Sequence, residues 1–468
     1  MDGPGGPMIS RVRSAWRALT APPAAIRNAA LWDAAGAGNR WANAPAVAAS
    51  PNQHWDNPVI SRARAEHQYR NDALCRKVVD AICNSMIGAN GIQPLFKERE
   101  FQSAWEDWSP RCDAEGRLNW EAFQWQVLRA VVVSGEAFIL LSIDPAAAGV
   151  PLRVQILGPE FLDTSKSDDS TFGGIKFQGP KAIGYWLFER NPGLVRFASR
   201  SRYVPATECF HVFRPTAPGA QRGQSWLSPV LLPLKEVQEY MEASLVKAKV
   251  AALFAGFIRT TDGANPVANA AGVPTLEPGS MTRLLPTEEV TFSEPPDAGA
   301  SFDPFVRSQL RRIAAGMGVP YEILSGDNSQ ITFASGRHGL LEYKRTVEAV
   351  QYLLMIPRLC EPIAERWASM AVALGMASAM PMKVRWIGPS IEMLDAGAEV
   401  RATVGEIRNG LTSRSEAVAK RGWRAEEIDA EIAADNERAD RLKLTLDCDP
   451  RKITQQGQEQ QSQVTETQ

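Results

Sequence analysis

The stretch from Phe302 to Arg345, FDPFVRSQLRRIAAGMGVPYEILSGDNSQITFASGRHGLLEYKR, constrains the fold more than any other. It reads as helix, irregular loop, helix, with basic residues at both edges. Asp303 can accept from first-turn N–H groups and Pro304 at the first helical position gives up no needed donor, so a helix is predicted to start there. Phe305, Val306, Leu310, Ile313 and Met317 recur at three- and four-residue steps until Gly316, Gly318 and Pro320 end the pattern. Arg307, Arg311 and Arg312 occupy the polar side. From Ser325 to Gly339 the residues are mostly small and polar, with Ile331 and Phe333 as the large apolar exceptions. Such a composition suits backbone that must approach something closely.

A second long helix precedes this segment. Ser228 and Pro229 resemble a helix start, and Val230, Leu234, Val237, Met241, Leu245, Ala248 and Ala252 form a continuous stripe. The helix is predicted over 228–258, about 30 residues or roughly 45 Å, with a kink at Pro233. Residues 259–302 change to Asn, Pro, Gly, Ala and Thr, with strand-like pieces at 281–285 and 288–292. A small module therefore sits between two helices.

The remainder predicts an α+β protein of more than one domain, since 468 residues exceed the usual single core and 44% hydrophobic residues support a sizeable one. One helix is predicted from Ser61 to Met86, with Leu74, Val78, Ile82 and Met86 on one stripe. Trp105, Trp108, Trp120, Phe123 and Trp125 bracket a turn around Asp113 and Gly116, a density that suits packing between layers or a ligand cage. Strand composition marks 136–143, 152–157, 173–178, 182–189 and 208–213. Leu340 to Leu374 is predicted helical with kinks at Pro357 and Pro362, 383–387 strand-like, and 394–446 polar and helical with a capping-box pattern at Ser413 and Glu416. Residues 1–55 read as a loosely ordered Ala/Pro/Trp arm and 448–468 as a solvated tail.

No H-E-x-x-H, G-x-S-x-G or Walker A pattern is present, and Pro180 stands where a P-loop would need lysine. His211 sits in an apolar strand, as a satisfied core histidine or a catalytic one. His338 beside Arg337 reads as a loop group near DNA or as a helix-start side chain. The pairs Glu288/Glu289 and Glu426/Glu427 read as solvated faces. Cys75, Cys83, Cys112, Cys209, Cys360 and Cys448 form no C-x-x-C pair and read as reduced thiols. No cofactor or metal is predicted, nor a secretory leader or a membrane span, the run 367–382 being short and Ala-rich. With 51 basic and 53 acidic residues the net charge is -2, which argues against a protein that grips nucleic-acid phosphates globally.

The run IAAGMGVPYEILSGDNSQITFASGRHGLLEYKR closely resembles the stretch that marks portal proteins of lambda-like tailed phages. In the same order, RNDALCRKVVDAICNSMIGANGIQP, CFHVFRPTAPGAQRGQSWLSPVLLPLKEVQEYMEASLVKAKVAALFAGFI and GLTSRSEAVAKRGWRAEEIDAEIAADNERADRLKL resemble that family too. The resemblance implies a portal-type fold: a mixed α/β wing over 56–227, stem helices at 228–258 and 303–326, a clip at 259–302, a tunnel loop at 327–339, a helical wing and channel segment at 340–390 and crown helices at 391–447. It implies a homo-oligomeric ring, usually dodecameric, at one capsid vertex of the virion, assembled in the host cytoplasm. Double-stranded DNA would pass non-specifically through the channel, with terminase, the major capsid protein and a head–tail adaptor as partners. Tunnel-loop candidates are then Asn328, Ser329, Gln330, Ile331, Thr332, Phe333, Ser335, Arg337 and His338. Lys247, Lys249, Arg307, Arg311 and Arg312 are candidates for the DNA-facing stem. Rival readings are a DNA-processing hydrolase with Arg311, Arg312, Arg337 and His338 at a phosphate site, and a scaffold-like interaction protein without a channel.

Overall fold

The computed structural model describes residues 58–193, 200–253, 257–260, 288–291, 302–377, 379–381, 384–391, 395–444, 446 and 451. The expected N-terminal arm, most of the 259–302 module and nearly all of the tail lie outside the described residues. The described chain is a mixture of helix and sheet, as the sequence predicts.

Two helices, α1 (Pro58–Asn71) and α2 (Ala73–Ile87), stand where one was expected over 61–86. Asp72 between them is extended (φ −108°, ψ 123°), and its carboxylate accepts from the Cys75 N–H at 2.6 Å, a cap that restarts the helix. The stripe belongs to α2 alone, where Cys75, Val78, Val79, Ile82, Cys83, Met86 and Ile87 are buried. After β1 (Gln93–Leu95) come α3 (Arg99–Trp108) and α4 (Trp120–Ser134), and the tryptophans pack between layers. The Trp105 ring lies edge-on to Trp120 at 5.3 Å and to Trp367 at 5.1 Å, with Trp108 tilted against it at 4.8 Å. The Trp108 and Trp120 indoles donate to the carbonyls of Leu152 and Ile92, so these amphipathic rings are buried without losing a hydrogen bond.

Strands β2 (Glu136–Ile143) and β3 (Leu152–Leu157) coincide with the predicted ones. β4 (Thr171–Phe172), β5 (Ile175–Gln178), β6 (Lys181–Phe188), β7 (Ser201–Pro205) and β8 (Cys209–Phe213) follow, of which β4 and β7 were not foreseen. Two antiparallel sheets result, β3-β2-β8 and β4-β5-β6-β7. Alternation along β2 sends Ala137 and Ile139 into the main core and Phe138 into a smaller one with Leu157, Ile175, Tyr185, Leu187, Val204 and Cys209. Cover on both faces explains the unbroken apolar run in β2.

Helix α5 (Leu231–Leu253) is 23 residues long, shorter than the predicted 228–258. Pro233 falls in its first turn, where N–H groups lack intrahelical partners anyway, so the expected reason for a kink disappears. The stripe divides: Val230, Leu234 and Val237 are buried, whereas Met241 and Leu245 are 44% and 55% exposed. β9 (Phe257–Thr260) pairs antiparallel with β10 (Glu288–Thr291), the strand-like piece expected at 288–292. The piece expected at 281–285 lies outside the described residues.

Next come α6 (Phe302–Met317), the short α7 (Tyr321–Ser325) and α8 (Phe333–Val350). The helical path then widens into a π-helix over Gln351–Cys360, which contains Pro357, and continues as α9 (Glu361–Ala373) with Pro362 in its first turn. A missing N–H is accommodated by altered hydrogen bonding, so the two prolines do not end the helical path as breaks would. Gln351, 1% exposed, donates its side-chain amide to the Met86 carbonyl at 2.8 Å and the Pro389 carbonyl at 2.9 Å. β11 (Arg385–Ile387) pairs with β1, Gln93 opposite Ile387. Helices α10 (Ala396–Arg408), α11 (Arg414–Lys420) and α12 (Ala425–Leu442) complete the described chain. Ser413 caps α11 as predicted, but the Glu416 carboxylate pairs with Arg385 at 3.3 Å. Cys75, Cys83, Cys112, Cys209 and Cys360 are buried thiols, and burial pushes Cys75 and Cys112 up to about 12, which makes them unreactive at neutral pH. Among the described residues, no helix is long and apolar enough to cross a membrane.

Candidate functional site

The irregular stretch is shorter than the sequence suggests. It runs from Gly326, left-handed at φ +74°, to Thr332, and residues 333–339 of the expected 327–339 loop form the first turns of α8. The reason is local: Thr332 Oγ1 accepts from Ser335 N–H at 3.3 Å while Ser335 Oγ accepts from Thr332 N–H at 3.0 Å. This is a capping box with serine in place of the usual Glu or Gln. Thr332 and Ser335 therefore serve the helix start, although both are exposed.

The other end of the loop is held by Asp327. Its carboxylate accepts from Ser329 N–H at 3.0 Å and from the Tyr321 hydroxyl at 3.3 Å, and lies 3.4 Å from Arg307 Nη2. Arg307 also pairs with Asp303 at 3.0 Å, one turn earlier on α6, so Asp303 sits inside the helix and not before it. The Arg311 guanidinium covers the Tyr321 ring at 5.4 Å. Hydrogen bonds from Ser329, with the charge of Arg307 added, hold the Asp327 carboxyl below its ordinary value. Between the two anchors, the Ile331 N–H reaches the Asn328 carbonyl at 3.3 Å. Asn328, Ser329, Gln330, Ile331 and Phe333 are exposed, and so are Arg337 and His338 on α8.

Of the stem candidates, Lys247, Lys249, Arg311 and Arg312 are exposed and make no ion pair among the described residues, whereas Arg307 is engaged by two carboxylates. His338 has no hydrogen-bond partner among the described residues, and none of them form a group of three His, Cys, Asp or Glu suited to a metal ion.

The sequence reading missed a second polar centre, at the root of α5. Glu136, fully buried, receives both oxygens' worth of contacts from the Arg222 guanidinium, His211 Nε2 at 2.9 Å and the Gly223 N–H at 3.0 Å, with Arg62 Nη2 at 3.6 Å. Burial alone would raise this carboxyl, but Arg222 and the hydrogen bond from His211 overcome it and hold it well below the carboxylate range. The chain entering α5 is pinned at the same corner: Trp226 N–H donates to the Val132 carbonyl at 3.0 Å, and Gly135 (φ +93°) leaves no room for a Cβ beside Gln224. A lone acid at the first position of an apolar strand was the available signal, since such a charge needs partners.

His211 is the satisfied core histidine of the two alternatives. Glu136, being ionised, can only accept, so the imidazole donates Nε2–H and burial keeps the ring neutral by lowering its pKa. An unfolded chain takes up this proton below about pH 6.5 and the folded one resists, so the stability is present above that pH and is lost as pH falls. Urea melts from pH 7 to pH 5 are expected to show stability falling as the pH falls. His211→Gln, which keeps a donor for Glu136, should flatten that slope.

Comparison with known proteins gives consistent matches. The family described as phage portal protein, lambda family, matches residues 37–351. A probable portal protein of Halomonas phage phiHAP-1 is 26% identical over 423 residues, covering 81% of this chain and 80% of the relative. Portal protein B of Escherichia phage lambda is 23% identical over 393 residues, covering 71% of this chain and 72% of the relative. Among solved structures, a chain in the neck of a native gene transfer agent particle computed with C12 symmetry is similar at a TM-score of 0.45 and 16% identity, covering 77% of this chain and 92% of that one.

Proposed function

Because the chain belongs to the lambda family of phage portal proteins, we propose that it closes into a homo-oligomeric ring, a dodecamer in the capsid, at one vertex of a phage head, and that double-stranded DNA enters and leaves through the central channel. The exposed apolar face of α5 carries this reading. Met241, Leu245 and Val246 are 44%, 55% and 57% exposed along the outer half of a helix whose base is buried. Its outer half touches α6 through Tyr240, 5.6 Å from the Phe302 ring and 5.0 Å from Phe305, which leaves these aliphatic side chains for a second copy of the chain. The loop anchored by Asp327 and Thr332 is the tunnel-loop candidate, and the exposed Lys247, Lys249, Arg311 and Arg312 offer few phosphate contacts per subunit, as sliding requires. The chain carries no ATPase signature, so the motor belongs to a terminase that docks on the clip around β9 and β10. The major capsid protein and a head–tail adaptor complete its contacts in the virion. The hydrolase reading finds no support in geometry, since His338 lacks a carboxylate partner among the described residues.

Leu245→Glu with Val246→Glu tests the ring. Each aliphatic side chain buried against a neighbour contributes about 1.5–3 kcal/mol, repeated at every interface. Mass photometry and negative-stain imaging are expected to show wild-type rings with an axial hole and variant protomers. The urea midpoint of the separated variant should stay within about 0.5 kcal/mol of the protomer's own stability, because both positions are exposed. Wild-type protein that remains a monodisperse monomer at high concentration defeats the reading.

A further inference from the structure

Arg307 links the stem to the loop through a single long contact. Its Nη2 serves two carboxylates at once, Asp303 at 3.0 Å on its own helix and Asp327 at 3.4 Å at the root of the loop. Its Nε finds no acceptor among the described residues, and the side chain keeps 24% of its surface exposed. The guanidinium is therefore neither saturated nor sealed. Phosphodiester oxygens match its planar fork better than one distant carboxylate oxygen does, and a bidentate arginine–phosphate pair is among the stronger charge-assisted contacts. Asp303 can go on holding the side chain while the second partner changes.

The loop is built so that this one contact matters. At its far end the reciprocal bonds of Thr332 and Ser335 belong to α8 and do not involve α6. At its near end, Asp327 is bound to Ser329 within the loop, to the Tyr321 hydroxyl on α7 and, on α6, to Arg307. Loss of that pair leaves the Tyr321 hydroxyl as the loop's remaining side-chain anchor and loosens the turns within 326–332.

Resting on the channel reading above, we propose that a passing DNA phosphate displaces Asp327 from Arg307 and so unfastens the root of the loop. The pair acts as an exchangeable tether: in the absence of DNA the loop is held to the stem, and with DNA alongside, Arg307 holds phosphate while the loop is free to follow the duplex. Arg307 and Asp327 are positioning residues in this scheme.

Hydrogen exchange at residues 327–331 of the assembled full-length protein, with and without a short DNA duplex at low salt, tests it together with Asp327→Asn and Arg307→Gln. The duplex is expected to speed exchange in the wild type roughly two- to fivefold, the range for loss of one exposed ion pair. Both variants should exchange fast without DNA and respond little to it. Their duplex retention should move in opposite directions: Asp327→Asn frees an arginine and steepens the salt dependence, and Arg307→Gln removes a phosphate contact and shallows it. A purely structural pair would not split the variants in this way. Unchanged exchange in Asp327→Asn, or slower exchange in the wild type with duplex, overturns the proposal. Equal salt dependence in all three proteins overturns it and leaves the channel reading standing. Failure of the duplex to bind any of them brings down both.

Discussion

Glu136→Gln is expected to lower protomer stability by about 3–5 kcal/mol, the cost of stranding a buried charge when its partner is removed. The substitution keeps the shape and one acceptor oxygen, but it leaves the Arg222 guanidinium, 10% exposed, and Arg62, 14% exposed, without the carboxylate that neutralises them. The folded-state carboxyl is strongly depressed, so its contribution is complete above the unfolded value near pH 4.3 and fades progressively as pH falls below it. Urea melts at pH 7 should therefore show the whole loss, and the gap between wild type and variant should shrink below about pH 4. Because Arg222 and Gly223 lead into α5, ring assembly should weaken even where protomers remain folded. A midpoint within error of the wild type would mean that the cluster is not held as described.

Asn328→Arg together with Gln330→Arg is expected to slow or stall DNA packaging in a defined in vitro system, most severely at low salt. Both side chains are exposed and neither is part of the Thr332/Ser335 cap or of the Asp327 anchor, so the loop should keep its conformation. Each added arginine that reaches a phosphate releases counterions and deepens the dependence of retention on salt, with a slope of about 0.9 per contact. The effect multiplies around a ring. Stall at low salt with recovery at high salt is the expected pattern, with assembly checked by imaging. Wild-type packaging rates at every salt concentration would place the loop away from the channel.

The sequence announced the elements whose signal is local. Periodicity and a following glycine located α4 and α6 closely, and apolar strand composition located β2, because one buried face repeats along each. It failed where a single side chain redirects the backbone. Asp72 breaks the expected 61–86 helix through one carboxylate, and Thr332 with Ser335 converts seven residues of the expected loop into helix. Both signals were written in the chain, as an Asp before an apolar stripe and as a T-x-x-S pattern, yet composition outweighed them. Arg307 read as a free cation because nothing local reveals that Asp327 lies opposite. The Glu136 cluster gathers residues 62, 136, 211 and 222, and no pattern within a window of ordinary length can bring those together.

The tryptophan cluster also dictates when the protein can finish folding. Trp105 and Trp108 meet Trp367, and β1 has no strand partner until residues 385–387 arrive. Gln351 reaches back to the Met86 carbonyl across 265 residues. A nascent chain growing from its N-terminus must therefore carry a half-built core, with aromatic surface uncovered, while the ribosome adds some 250 further residues. Closing contacts of such long span pushes the rate-limiting step late and slow. Truncation upstream of Trp367 thus yields an aggregating fragment and not a smaller folded protein, and the yield of protomers is set by how well that interval is chaperoned.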